Sequence, residues 1–121
     1  MTRVVHFELP ADDPERAVKF YEQVFGWKIE RCEGPLDYWL VTTGPEDQPG
    51  IDGGIMRRED GDVTRNTIDV VSVDEFAEMV VKAGGKLVMP KTAIPGIGYI
   101  AYCEDTEGNV FGIIEEDPSA E

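Results

Sequence analysis

The sequence predicts an α+β fold made of two tandem βαβββ modules, and three observations carry that prediction. The opening run Arg3-Val4-Val5-His6-Phe7-Glu8-Leu9 alternates in character. Val5, Phe7 and Leu9 therefore share one face of a strand, and Val4, His6 and Glu8 share the other. Two strands of this kind are each followed by an amphipathic helical stretch that ends at glycine. The second such unit repeats the first at a spacing of 59, which sets Gly26 on Gly85 and Phe20 on Met79.

Each element has a local cause. The first strand runs from Val4 to Leu9 and the first helix from about Pro14 to Val24. Asp12 or Asp13 supplies its N-cap and Pro14 suits its first turn. Ala17, Phe20, Tyr21 and Val24 form an apolar stripe read as core, and Gly26 suits a left-handed C-cap. A strand begins near Trp27, Tyr38 to Thr42 is another, and a third lies around Gly54 to Arg58. The glycines from Gly50 to Gly54 and from Gly96 to Gly98 read as turns. Their context does not suit a phosphate loop, which opens a helix.

The second half starts with a strand over Thr67 to Val71, with a loop before its helix about two residues different from the first. Ser72 and Glu75 have capping-box spacing, and Val73, Phe76, Met79, Val80 and Ala83 form the second stripe. Lys86 to Met89 is a strand, and Lys91 to Gly98 is a Pro/Gly loop. Tyr99 to Glu104 and Asn109 to Glu115 flank the turn Asp105-Thr106-Glu107-Gly108, a hairpin. The polar tail from Glu116 is expected to fray. The expected organisation is one domain over residues 1–121, with pseudo-repeats of about 1–60 and 61–117. Neither half has a large core alone. Packed edge to edge, the two give a curved mixed sheet around a cleft, with the helices outside.

Composition narrows the functions. The chain has 121 residues, with 25 acidic and 11 basic side chains and a formal charge of −14. That charge argues against nucleic acid or an anionic membrane as partner and is compatible with a cationic ligand. No apolar run approaches the roughly 20 residues of a membrane helix. With no signal-peptide pattern either, a cytoplasmic location is expected. Cys32 and Cys103 lack CxxC spacing and read as free thiols.

The opening Val-Val-His-Phe-Glu-Leu-Pro-Ala-Asp-Asp-Pro-Glu-Arg-Ala-Val-Lys-Phe-Tyr-Glu-Gln-Val-Phe-Gly-Trp resembles the entry strand and first helix of the vicinal oxygen chelate superfamily. That superfamily includes glyoxalase I, bleomycin-resistance proteins, extradiol dioxygenases and fosfomycin-resistance enzymes. Asp105-Thr106-Glu107-Gly108-Asn109-Val110-Phe111 resembles its final hairpin. Gly84-Gly85, Met89-Pro90-Lys91 and Ile94-Pro95-Gly96-Ile97-Gly98-Tyr99 are similar to a bacterial subgroup of predicted enzymes related to lactoylglutathione lyase. The resemblance covers nearly the whole chain and is specific for fold, not for activity.

The resemblance implies a metal site with one ligand from each of four strands. His6 falls at the first ligand position, and Gly112 falls where the last strand carries glutamate. The remaining two positions offer Ile55 or Met56 and Thr67 or Ile68. His6 is the only histidine of the chain, so a site needing two histidines and a glutamate, as in extradiol dioxygenases, is excluded. Two cofactor expectations stand, a divalent metal ion and none, and the ligand count favours none.

Two functions fit. In the first, a lyase or isomerase related to lactoylglutathione lyase uses His6 as acid or base, oriented by Glu8 or Asp69. Tyr99 or Tyr102 then donates to an oxyanion, and strand register decides which. In the second, the cleft only binds or sequesters a drug or metabolite, with Tyr38, Tyr99, Tyr102 and Gly112 as lining and Trp27 and Trp39 as further aromatic candidates. Both readings expect a small-molecule ligand, and the resemblance implies a homodimer.

Overall fold

The computed structural model describes residues 2–33 and 37–121. It has the α+β fold of two βαβββ modules. The first is β1 (Val4–Ala11), α1 (Pro14–Phe25), β2 (Lys28–Arg31), β3 (Tyr38–Thr42) and β4 (Asp52–Arg57). The second is β5 (Arg65–Asp69), α2 (Val73–Lys82), β6 (Lys86–Ile94), β7 (Gly98–Glu104) and β8 (Val110–Glu116). Two compact units follow this division, His6–Thr64 and Arg65–Glu121, the latter joined by residues 2–5. Asp69 N donates to the Arg3 carbonyl at 2.9 Å.

Each module has the same strand pattern. In the first, β2, β3 and β4 pair antiparallel in that order, and β1 pairs parallel with β4. In the second, β6, β7 and β8 pair antiparallel, and β5 pairs parallel with β8. A parallel first and last strand need a long connection, and the helix followed by two strands provides it.

The helices start where the sequence says. Asp13 accepts from Arg16 N at 3.2 Å, and Gly26 takes the left-handed conformation with φ of 70°. Ser72 accepts from Glu75 N at 3.2 Å, and Glu115 accepts from Val73 N at 2.9 Å. The buried helix stripes differ from expectation by part of a turn. The first module packs Ala17, Val18 and Tyr21 against Ala11, Trp39, Val41 and Ile55, and leaves Phe20 54% and Val24 56% exposed. The second packs Phe76, Ala77 and Val80 against Ala101, Cys103 and Ile113, and exposes Met79. In both, the apolar residues exceed what one strip of a narrow sheet can cover.

Three other expectations are corrected. Gly53 and Gly54 are not turn residues but lie inside β4. A side chain at Gly53 would collide with the Phe7 carbonyl and ring, so the close approach of β1 excludes one there. The segment Lys91 to Ile94 continues β6, because on an edge strand Pro90 sacrifices no ladder bond that the sheet needs. The C-terminal tail does not fray. Ala120 is 3% exposed, its carbonyl accepts from Gly96 N at 2.9 Å, and Asp117 N donates to Ile97 O at 2.9 Å.

Candidate functional site

The first module gathers its reactive groups on the sheet face opposite α1. Phe7, Leu9 and Ala11 pack with the helix, so alternation turns His6 and Glu8 to the other face. Trp39 and Val41 likewise point to the helix side, which leaves Tyr38 with His6. His6 Nε2 and Tyr38 Oη lie 2.7 Å apart in a hydrogen bond. Gly54 makes this contact possible, because a methyl group there would overlap the Tyr38 hydroxyl. The phenol thus crosses β4 over a strand position that has no side chain.

Carboxylates surround this pair. Asp52 is the register neighbour of His6 across the parallel ladder, and Glu8 is buried two residues along β1. Burial pushes the His6 imidazole below its ordinary value, and the negative charges of Glu8 and Asp52 oppose that shift. A lowered value means a neutral ring near pH 7, able to accept a proton. The nearby carboxylates then favour the imidazolium that results.

The second module repeats this plan with different chemistry. Ile68, Tyr99, Ala101, Cys103 and Ile113 pack with α2, which turns Arg65, Thr67, Asp69, Tyr102 and Gly112 to the opposite face. Tyr99 is therefore on the helix side, with Lys91 Nζ 4.5 Å from its ring centre, while Tyr102 shares a face with Gly112. The two tyrosines cannot both line one face, because they are three residues apart on one strand. Tyr102 is the register partner of Gly112, as is Thr67 on the other side. The Arg65 guanidinium lies 4.4 Å from the Tyr102 ring centre.

Register also corrects the alignment of the modules. Glu8 pairs with Gly54 and Thr67 pairs with Gly112. Glu8 and Thr67 are thus counterparts, and the counterpart of His6 is Arg65, two residues before Thr67. Asp69 pairs with Ile114 as Pro10 pairs with Met56, so Asp69 corresponds to Pro10. The first strands keep the spacing of 59 that the helices show, with no two-residue shift between strand and helix, and the last strands stand 58 apart.

Sequence reasoning overlooked Asp52 and Arg65. Asp52 was hidden because Asp52-Gly53-Gly54 has the composition of a turn. Arg65 precedes the expected start of its strand, but the alternation of Arg65, Thr67 and Asp69 was legible. The aromatic candidates divide similarly. Trp27 stacks on Tyr21 at 4.9 Å and belongs with Trp39 to the helix-side core.

A four-ligand metal site does not fit this set of donors. His6 already engages Tyr38 through Nε2, Gly54 and Gly112 offer no side chain, and Thr67 offers only a hydroxyl. Among the described residues, no three of His, Cys, Asp and Glu gather closely enough to hold a metal ion. The ordinary count is three or more protein ligands. Also among the described residues, no helix is long and apolar enough to cross a membrane.

Comparison with known proteins agrees with the architecture. Residues 3–44 match the model of the bleomycin resistance protein-like N-terminal family. A glyoxylase-like domain-containing protein of Didymella fabae is 31% identical over 112 residues, covering 88% of this chain and 88% of the relative. Among solved structures, a Streptomyces coelicolor methylmalonyl-CoA epimerase bound to 2-nitronate-propionyl-CoA superposes with a TM-score of 0.71. It has 15% identity and coverage of 100% of this chain and 99% of the other. A glyoxalase/bleomycin resistance protein/dioxygenase superfamily member from Vibrio splendidus 12B01 gives a TM-score of 0.67 at 16% identity, covering 97% of this chain and 100% of the other.

Proposed function

This chain belongs to the vicinal oxygen chelate superfamily of glyoxalases, bleomycin-resistance proteins and dioxygenases, and from that premise we propose that it binds a small molecule on the His6–Tyr38 face and shifts a proton on it. The 2.7 Å contact between His6 Nε2 and Tyr38 Oη carries the reading. The reaction class is that of a lyase or isomerase acting at a carbon next to a carbonyl. In the Nδ1–H tautomer the imidazole accepts the phenol's hydrogen bond through Nε2. Tyr38 takes a proton from the carbon next to the carbonyl as its own hydroxyl proton passes to His6 Nε2, leaving an enolate and an imidazolium; the reverse transfer, from Nε2 through Tyr38, returns a proton to carbon and restores the neutral ring. Glu8 and Asp52 hold the positive ring that forms. The shared fold with a methylmalonyl-CoA epimerase makes acyl thioesters the first compounds to test, and the glyoxalase relationship adds α-oxo adducts of thiols.

The test is deuterium incorporation. The protein is incubated in D2O with methylmalonyl thioesters and with methylglyoxal plus glutathione, and the carbon next to the carbonyl is followed by NMR. Exchange that is lost in His6→Gln and strongly reduced in Tyr38→Phe supports the reading. Binding without exchange in the unaltered protein sinks it.

That second outcome is the mark of the other reading, a drug- or metabolite-sequestering protein. The charge of −14 favours it for cationic aromatic ligands. In either case we expect a cytoplasmic homodimer with no nucleic-acid or membrane partner. Light scattering on the purified protein reads the mass, and a monomer at micromolar concentration removes the dimer from the reading.

A further inference from the structure

We infer that the first module carries a second site, on its helix side, which takes an uncharged aromatic molecule able both to donate and to accept hydrogen bonds, an aromatic amide being the simplest case. A cavity of about 550 Å³ opens there between one flank of α1 and the end of β1. Its size suits a small-molecule ligand. Among the described residues, all that line it lie between Leu9 and Thr64, within this module. Leu9, Ala11, Ala17 and Tyr21 contribute from the packed helix side, whereas alternation turns His6 to the other face of the sheet. The local cause is the surplus of apolar residues on α1. Ala17, Val18 and Tyr21 cover the strands, which leaves the Phe20 ring more than half exposed along the cavity wall.

The preference for an aromatic guest follows from ring geometry. Phe20 and Tyr21 meet at right angles with their centres 5.2 Å apart. A planar guest parallel to either ring stands edge-on to the other, and both arrangements are favourable. The preference for an uncharged guest follows from the rim. Asp12, Asp13, Arg16 and Arg58 line the cavity, two acids against two bases, in a chain whose formal charge is −14. Arg58 is already committed: its Nε donates to Asp12 at 3.1 Å, and its Nη1 and Nη2 donate to the carbonyls of Asp62 and Pro10 at 3.2 and 3.3 Å. Asp13 accepts from Arg16 N through Oδ1, which leaves Oδ2 as an acceptor. The exposed Arg16 guanidinium, with no ion pair among the described residues, supplies donors. A charged guest would upset this balance of charge. An amide matches it, with its carbonyl toward Arg16 and its N–H toward Asp13.

This site does not depend on proton transfer at His6, and it is tested by binding alone. Benzamide, benzoate, benzylamine and cyclohexanecarboxamide are titrated into the full chain and followed by NMR. The first three share a ring and differ in charge, and the last keeps the amide without the aromatic ring. We expect benzamide to move the Leu9 and Ala17 methyl signals and to leave the His6 ring signals in place. The other three compounds should bind about tenfold more weakly. Phe20→Ala should weaken benzamide about tenfold and Arg16→Met about threefold. Both side chains are exposed on α1, so neither substitution threatens the fold. The idea is overturned if benzamide leaves the Ala17 methyl unmoved, if any of the other compounds binds as well as benzamide, or if neither substitution changes the affinity.

Discussion

The sheet faces opposite the two helices share a framework and differ in charge. Both place a glycine in the last strand, Gly54 or Gly112, and both cover it with a tyrosine from the neighbouring strand. Tyr102 does so from the directly paired position, whereas Tyr38 reaches diagonally from the position opposite Met56. The first-strand residue that meets the tyrosine is His6 in one module and Arg65 in the other. One partner can take up or release a proton, with burial lowering its value, and the other keeps its charge. The two modules share the part that packs and differ in the residue that meets the tyrosine. The lesson is that a repeat is best compared by ladder register, since residue similarity alone would not pair histidine with arginine.

The comparison breaks most visibly in the cores. Ile55 and Ile113 are counterparts, both fully buried against their helices. Ile55→Ala and Ile113→Ala should each cost about 3 kcal/mol in chemical denaturation. A loss below about 1 kcal/mol in either would show that its module is not packed as described. The glycines sharpen the contrast. Gly54→Ala must move the Tyr38 hydroxyl, while Gly112→Ala meets only tight contacts. We expect about 2 kcal/mol for Gly54→Ala and about 1 kcal/mol for Gly112→Ala. Gly54→Ala should also change the His6 ring shifts in NMR, and Gly112→Ala should not.

Tyr38→Phe tests the dyad more gently. It removes one hydrogen bond and should cost about 1 kcal/mol, read by thermal or urea unfolding. The smallest effect is in pH. Burial lowers the folded-state value of His6, so the unfolded chain binds its proton more readily. The stabilisation is complete above the ordinary histidine value of about 6.5 and declines as pH falls through the lower folded-state value. His6→Gln should flatten this part of the stability curve. An unchanged slope would show that His6 is not held neutral by its surroundings.

Much of this fold was legible because its causes are local. Asp13, Ser72 and Gly26 mark helix ends through their own side chains or lack of one. The alternation from Val4 to Leu9 is a property of one strand. What stayed hidden depends on pairing between distant segments. Tyr38 and Trp39 are neighbours in sequence, and only the pairing of β3 with β4 decides which of them meets His6. The same holds for Tyr99 and Tyr102. Asp52 and Gly54 looked like a turn because composition does not report that a neighbouring strand or ring excludes side chains. Arg65 was missed through a boundary two residues late, and that small error displaced the whole comparison of first strands.

Gly112 bears on what its own position can hold. The first carbon of any side chain there would stand 3.0 Å from Thr67 Oγ1 and 3.2 Å from Tyr102 Cε1. Residues 67, 102 and 112 therefore form one volume shared among three strands: a larger side chain at 112 asks its neighbours to give way, and a smaller one at 67 or 102 opens room for it.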